Sequence, residues 1–221
     1  MLPHRLLLRI ASHLTERDRV LIRLLYEHRV LTTAQVCDVA FDSLRRAEAR
    51  LHTLHQLRVV DRFQPHQWPG SAPYHWILDR AGVAVVAVER GLELDRLPWR
   101  HERALALETS PTLQHRVGCN GVFTALLREA RTHPDCRLVT WWSAWRCAQE
   151  WGELARPDGY GVWVEAGVRL PFLLEYARGT ESGSRSRTRP RGCCSASRVL
   201  AVRPRLGMCC AARRPMWPPA W

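Results

Sequence analysis

The stretch that decides the fold runs from Thr15 to Leu78. It reads TERDRVLIRLLYEHRVLTTAQVCDVAF (residues 15–41), SLRRAEARLHTLHQLRVVDRF (43–63), QPHQWPGSAP (64–73) and YHWIL (74–78). Apolar residues recur at steps of three and four in the first two pieces, which predicts helices. In the last piece, Tyr74, Trp76 and Leu78 occupy every second position and alternate with His75, Ile77 and Asp79, which predicts a strand. The Pro/Gly-rich piece between them predicts a turn.

Helix starts can be placed from residues that cap a helix. Thr15 and Thr32 each precede a helical pattern and each have a capping partner three residues later. Asp42 or Ser43 is placed to cap a third, longer helix. The predicted order is therefore two short helices, a longer helix, a strand, a turn and a strand, which is the order of a winged helix-turn-helix.

The third helix has a polar face that carries Arg45, Arg46, Arg50 and Thr53. The second helix of such a motif enters the DNA major groove, where arginine pairs with guanine or with phosphate. We therefore expect these four residues to bind double-stranded DNA. Trp68, in the turn, either covers the hairpin or contacts DNA. Two alternatives stay open, an ordinary solvated basic face and a surface that binds RNA or protein.

Net charge gives less support to DNA binding than its size suggests. The formal charge is +12 and the pI is near 10.3. Residues 182–221 contribute nine arginines and no acid, which leaves 24 arginines against 21 acids in residues 1–181. The chain contains no lysine, which is typical of coding bias in a GC-rich genome. The DNA-binding hypothesis therefore depends on the local pattern of residues 15–78.

The second half of the chain alternates between a helical pattern and strand-like runs. Residues 104–130 are helical in pattern, with a break at Ser110-Pro111, and residues 137–147 are rich in Trp and β-branched residues. Two further strand-like runs follow Asp158, and Glu175 lies near the end of the second. Carboxylates at neighbouring strand ends can bind one divalent metal ion, so Asp158 and Glu175 are candidate ligands for Mg²⁺ or Mn²⁺.

Several other classes are disfavoured by the sequence. No apolar run approaches the roughly 18 residues of a membrane span, so no membrane association is expected. None of the eight cysteines has the C-x2-C spacing typical of zinc sites. Without an apparent signal peptide, the chain is expected to be cytoplasmic, with reduced thiols.

Six segments together resemble the replication-relaxation family of actinobacterial plasmid and mobile-element proteins. They are LTERDRVLIRLLYEHRVLTTAQV, RRAEARLHTLHQLRVVDRF, GSAPYHWILDRAG, SPTLQHRVGCNGVFTAL, RPDGYGVW and PFLLEYARGTE, within residues 14–181. The resemblance implies a winged-helix N-terminus and a role in plasmid replication, DNA relaxation or transfer. The second half also resembles a restriction-endonuclease-like core of the PD-(D/E)xK type, with Asp158 and Glu175 at the acidic positions. Ala177 stands where that type has its lysine.

The sequence thus predicts an α+β protein in four parts. They are a winged helix-turn-helix at 12–80, a connecting helix and linker at 81–103, an incomplete α/β domain at 104–181, and a disordered basic tail at 182–221. The tail lacks acids and periodicity, which indicates a frameshifted or truncated end; a genuine phosphate-binding arm is the alternative. The leading functional hypothesis is DNA binding without catalysis. The alternatives are a metal-dependent nicking enzyme and a protein-interaction module that forms a homodimer through the helix at 81–91.

Overall fold

The described part of the N-terminal half begins with three helices and a short strand. The computed structural model describes residue 10, residues 12–66 and 70–177, and the backbone of residues 197–201. Helix α1, strand β1 and helices α2 and α3 span Glu16–His28, Leu31–Thr32, Thr33–Ala40 and Leu44–Gln56.

Side-chain caps begin each of these helices. Thr15 and Asp18 form a reciprocal capping box at the start of α1, and Thr32 and Gln35 form one at the start of α2. Ser43 caps α3 by accepting a hydrogen bond from the backbone N–H of its third residue. These caps fix the residue at which each of the three helices begins.

A three-stranded antiparallel sheet completes this half. Strands β2 and β3 span Val60–Phe63 and His75–Leu78 and form the predicted hairpin. Strand β1, which was not predicted, pairs with the outer side of β3, so the sheet order is β1-β3-β2. Trp68 and its neighbours at the hairpin tip lie outside the described residues.

Helix α4 follows β3 and packs against α1. It spans Arg80–Arg90 and ends at Gly91, whose left-handed φ of 62° suits a helix C-terminus. Residues 81–87 are all buried inside the chain, while Val88 stays exposed. The apolar face that was expected to mediate dimerisation is therefore used within the chain, and the homodimer stays a prediction. The predicted linker contains a 3-10 turn at Leu94–Arg96 and the start of the short helix α5, His101–Leu105.

The C-terminal half is a long helix against an antiparallel sheet. A 3-10 turn at Ala106–Thr109 leads to helix α6, Leu113–Thr132, with the break at Ser110-Pro111 where it was predicted. Then follow β4, α7, β5 and β6, which span Cys136–Ser143, Ala144–Trp151, Gly159–Glu165 and Val168–Tyr176. The strands pair in the order β4-β5-β6, each antiparallel to the next.

Two sequence predictions in this half need correction. Residues 137–147 were predicted as one strand, but Ser143 caps a new helix and turns the chain away from the sheet. In the tail predicted to be disordered, residues 197–201 form strand β7, which pairs antiparallel with β6 and extends the sheet. A free edge of β6 would otherwise expose its backbone hydrogen-bonding groups. The rest of the predicted tail lies outside the described residues.

One hydrophobic core joins both halves. It combines residues of α1 to α4 with Phe123 of α6 and Trp141, Trp163 and Phe172 of the second sheet. Gln35 donates to the carbonyl of Val117 at 2.7 Å, and this bond ties α2 directly to α6. Since the two predicted domains share core residues and hydrogen bonds, their relative position is fixed by packing. In the part of the chain that the structure describes, no helix is long and apolar enough to cross a membrane.

Candidate functional site

The first turn of α3 presents two arginines to solvent. Arg45 and Arg46 are the second and third residues of α3, after the Ser43 cap and Leu44, and both are exposed. The side chain of Arg45 has no ion pair or hydrogen bond among the described residues. The Ser43 cap thus places at the N-terminal end of this helix one guanidinium, that of Arg45, which is unpaired among the described residues.

Arg46 is instead held by an acid in the turn before α3. Its Nη1 lies 3.3 Å from the Oδ2 atom of Asp42, and both side chains are about 70% exposed. Asp42 also binds Arg131 of α6, which donates further hydrogen bonds to the carbonyls at the C-terminus of α2. Arg131 therefore braces the turn between α2 and α3, and Asp42 holds Arg46 close to that turn.

The structure gives Arg50 a structural role that the sequence did not predict. Its Nε donates to Oδ1 of Asp18 at 2.9 Å, and its Nη2 donates to Oδ2 of Asp18 and to the carbonyl of His13. The Asp18 side chain has no solvent exposure, while that of Arg50 is 27% exposed. Burial by itself would raise the pKa of Asp18, but the hydrogen bonds from Arg50 and Thr15 outweigh it and lower the pKa. Arg50 is therefore engaged with α1 through Asp18, and its role as a DNA contact stays a prediction.

Thr53 and Trp68 are the other two residues predicted to contact DNA. The hydroxyl of Thr53 donates to the carbonyl of Ala49 at 3.1 Å, one turn earlier in α3, and the residue is only half-buried. The hydroxyl proton of Thr53 is therefore already donated within the helix, but its oxygen can still accept a hydrogen bond. Trp68 lies outside the described residues, and its contact with DNA stays a prediction.

A groove of about 210 Å³ separates α3 from the hairpin. The guanidinium of Arg62 in β2 lies over the rings of Tyr74 and Trp76, 4.2 and 5.6 Å from their centroids. Trp76 is itself fixed by a hydrogen bond from its Nε1 to Thr33 of α2 at 3.0 Å. The groove thus has a cationic and aromatic wall beside the polar face of α3, and it is lined by Thr33, Glu48, His52, Arg62, Tyr74 and Trp76.

Asp158 lines a second, smaller cleft, which is bounded by residues of α6 and the second sheet. It comes just before β5, and the backbone N–H of Tyr176 donates to its Oδ2 at 2.8 Å. Its Oδ1 lies 2.9 Å from Nε2 of His115 on α6. Cys119, one helical turn after His115, brings a thiol to the same place, and the ligand atoms of His115, Cys119 and Asp158 all lie within 4.8 Å of one another.

Asp158 and Glu175 were predicted to bind one metal ion together, but the structure places His115 and Cys119 beside Asp158. Glu175 is exposed, and it belongs to neither group of candidate metal ligands found among the described residues. Leu174, its neighbour in β6, is fully buried, and consecutive strand residues point to opposite faces, so the acid faces away from the core. The ligand atoms that Asp158 meets come from α6, and Ala177, which is exposed, offers none.

Polar atoms without partners line this second cleft, whose volume is about 80 Å³. His28 is only 2% exposed and its ring stacks on Trp141, yet its Nε2 has no hydrogen-bond partner among the described residues. The Nε atom of Arg116 is also buried and has no hydrogen-bond partner among the described residues. Buried polar atoms in native proteins almost always have a partner, so these two atoms mark the cleft as a candidate site.

Burial dominates the electrostatics of the cleft. Burial, followed by the charges of Arg116 and Arg29, lowers the pKa of His28 well below its usual value. Burial and Arg29 also lower the pKa of Arg116. Burial, followed by the charge of Asp158, raises the pKa of the Cys119 thiol to about 12. Cys119 is therefore no activated nucleophile, because such a cysteine needs a lowered pKa.

A third group of titratable residues fixes the linker to the hairpin. Asp61 of β2 accepts from Nε2 of His101 at 2.9 Å and lies 3.3 Å from Nε2 of His55. Asp79, which caps α4, lies beside them and is 3% exposed. Both aspartates also accept hydrogen bonds from backbone N–H groups, those of Arg62 and of the residue that follows Asp79. This group acts as a polar junction that holds α5 against β2.

Sequence reasoning missed the approach of His115 and Cys119 to Asp158. Their spacing of four residues on a predicted helix was visible and places both on one helical face. Their meeting with Asp158 depends on how α6 packs on the sheet. Gly118 allows that packing, since a Cβ there would lie 2.2 Å from the Tyr176 ring.

The comparisons with known proteins give one clear result. Residues 22–191 match the sequence profile of the family described as replication-relaxation. No match was found among curated proteins or among solved structures. The matched range covers most of α1, the whole of α2 to α7 and both clefts. Since it spans more than half of the sequence, the chain belongs to the replication-relaxation family.

Proposed function

We propose that the protein binds double-stranded DNA through a winged helix-turn-helix formed by α1 to α3 and the first sheet, in the replication or relaxation of a plasmid or mobile element. Family membership supports the biological role. The observation that carries the DNA-binding proposal is the pair of exposed arginines, Arg45 and Arg46, in the first turn of α3.

The topology supports a winged helix. Helix α3 follows α2 after a three-residue turn and precedes the hairpin β2-β3, while β1 adds the third strand in the order β1-β3-β2. In a winged helix the second helix of the motif lies in the major groove and its N-terminal residues contact the bases. In this chain those N-terminal residues are Arg45 and Arg46.

The charge distribution on α3 supports different tasks for its arginines. Arg45 is unpaired among the described side chains and is ready to bind a base edge or a phosphate. Arg46 has to exchange Asp42 for a phosphate, and an exposed ion pair of this kind contributes only about 0–1 kcal/mol. Arg50 stays with Asp18 and keeps α3 in place on α1. The groove beside Arg62 offers a further cationic surface for the DNA backbone.

The experiment compares two double variants of the full chain. Arg45→Ala with Arg46→Ala removes the two arginines of α3, while Arg96→Ala with Arg103→Ala removes two exposed arginines of the linker region. Net charge falls by the same amount in both, so general electrostatic attraction is matched. Binding to a mixed-sequence duplex is measured by fluorescence anisotropy.

The α3 variant is expected to bind at least about 30-fold more weakly, since it loses two arginine contacts that contribute about 1 kcal/mol or more each. The linker variant should bind nearly as well as the wild-type chain. Equal losses in the two variants would contradict the proposal, because binding would then follow net charge and not the position of the arginines.

A further inference from the structure

Three side chains of different chemistry meet beside α6. His115 and Cys119 lie one turn apart on that helix, and Asp158 approaches from the start of β5. One imidazole nitrogen, the Sγ atom and one carboxylate oxygen lie within 4.8 Å of one another. Ligand atoms of one metal ion lie at similar separations, given metal–ligand distances of roughly 2.0–2.3 Å for zinc.

The type of donor atoms narrows the choice of metal. Imidazole and thiolate ligands favour zinc and related transition metals, whereas Mg²⁺ and Ca²⁺ are bound by oxygen atoms alone. The thiolate of Cys119 and the carboxylate of Asp158 together balance the charge of a divalent ion. That balance matters because Arg116 lies in the same cleft and repels an uncompensated cation.

The surroundings hold the three ligands in place. The Tyr176 N–H donates to Oδ2 of Asp158, which leaves Oδ1 directed to His115. The ring of Tyr176 packs edge-on against His115, with centroids 5.6 Å apart, and fills the space above Gly118. Such supporting contacts orient metal ligands in proteins, and here one residue provides both a hydrogen bond and a packing surface.

An independent observation indicates that something absent from the chain belongs in this cleft. Nε2 of His28 is buried and has no hydrogen-bond partner among the described residues, and His28 lines the same cleft as the three ligands. A buried polar atom without a hydrogen-bond partner destabilises the folded chain. The cleft volume of about 80 Å³ leaves room for at least one water molecule, which needs roughly 15 Å³ on this measure. A metal-bound water would give His28 its partner.

We propose that His115, Cys119 and Asp158 bind one divalent transition-metal ion of the zinc class, with a water molecule completing the coordination on the side of His28. On binding, the proton of the Cys119 thiol passes to solvent and the sulfur coordinates the metal as a thiolate. This site goes beyond the DNA-binding function, and its test uses no DNA.

The competing explanation is a purely structural contact. In that case the 2.9 Å contact between His115 and Asp158 only ties α6 to the sheet, and Cys119 is a buried thiol next to it. The two explanations differ in one measurable property, a bond between metal and sulfur.

Cobalt(II) reports on such a bond, since a coordinated thiolate gives a charge-transfer absorption band in the near ultraviolet. Co²⁺ is titrated into the full-length chain in which Cys193, Cys194, Cys209 and Cys210 are replaced by serine. We expect one equivalent to bind with a charge-transfer band and Zn²⁺ to displace it. The Cys119→Ser variant of that protein should lose the band, whereas Cys147→Ser, which removes another buried thiol outside the cluster, should keep it.

A second variant keeps the test decisive if Cys119→Ser fails to fold. Asp158→Asn retains an oxygen that can accept from the Tyr176 N–H but loses the anionic ligand. It should keep the charge-transfer band and bind Co²⁺ at least about tenfold more weakly, the smallest loss typical of damage to a metal site. Absence of a band in the starting protein, or a band that persists unchanged in Cys119→Ser, would overturn the proposal.

Discussion

Replacing Arg50 should destabilise the fold and should not act mainly on DNA binding. In Arg50→Ala the buried carboxylate of Asp18 loses the hydrogen bond that Arg50 donates to each of its oxygens, and the carbonyl of His13 loses its bond from Arg50. Hydrogen bonds to charged groups contribute about 1.5–3 kcal/mol each, and breaking a buried ion pair costs about 3–5 kcal/mol. Asp18 keeps its two bonds from Thr15, and water can reach the space left by the partly exposed arginine. We therefore expect a loss of about 2–3 kcal/mol in the free energy of unfolding.

Urea denaturation followed by circular dichroism measures this loss at neutral pH. A double-mutant cycle with Asp18→Asn separates the ion pair from other effects of each change. In the Asp18→Asn background, Arg50→Ala should cost less than about 1 kcal/mol, because no buried charge remains to be compensated. An equal cost in both backgrounds, or a single variant as stable as the wild type, would refute the structural role of Arg50.

The acid side of the pH profile provides a further check on the same pair. Because the folded pKa of Asp18 is lowered, its contribution to stability is complete above the ordinary value of 3.8 and is lost as pH falls through the folded value. The stability difference between wild type and Arg50→Ala should therefore be largest at neutral pH and shrink in acid. A difference that grows as the pH falls below 3.8 would contradict the assignment.

Three further predictions follow from single contacts. Asp42→Asn should tighten duplex binding up to about fivefold in fluorescence anisotropy, because an exposed ion pair that competes with DNA contributes at most about 1 kcal/mol. The free energy of unfolding should decline as pH falls below about 6.5, since burial lowers the pKa of His28 and only the unfolded chain takes up that proton; His28→Phe should flatten this decline in thermal scans. Gly118→Ala should lower stability by about 1–3 kcal/mol in urea because its Cβ meets the Tyr176 ring, whereas Gly121→Ala on the same helix, with 3.4 Å to its nearest neighbour, should be neutral or stabilising.

Local signals in the sequence predicted local structure well. Thr15 and Thr32 cap helices in the structure as their spacing indicated, and Gly91 ends α4 as predicted. These features depend on residues within four positions of each other, so one sequence contains the information. The Trp-rich run at 137–147 was misassigned because its composition favours a strand throughout, while the Ser143 cap ends the strand in its middle.

Contacts between residues far apart in the chain could not be predicted from helix caps and apolar periodicity. Arg50 meets Asp18 across 32 positions, and His115 meets Asp158 across 43. The sequence showed that Arg50 lies on a polar helix face, but not that this edge of the face packs against α1. Similarly, Asp158 was recognised as a candidate ligand, yet its neighbours were sought in the next strand and the structure provides them from α6.

The most direct test of the central claim is the salt dependence of duplex binding. For the wild-type chain, the logarithm of the association constant is plotted against the logarithm of salt concentration, and its slope counts the phosphates neutralised, at about 0.9 per contact. We predict that Arg45→Ala with Arg46→Ala reduces the slope by about 1–2, while the charge-matched Arg96→Ala with Arg103→Ala leaves it unchanged. An identical slope in all three proteins would contradict binding through the first turn of α3.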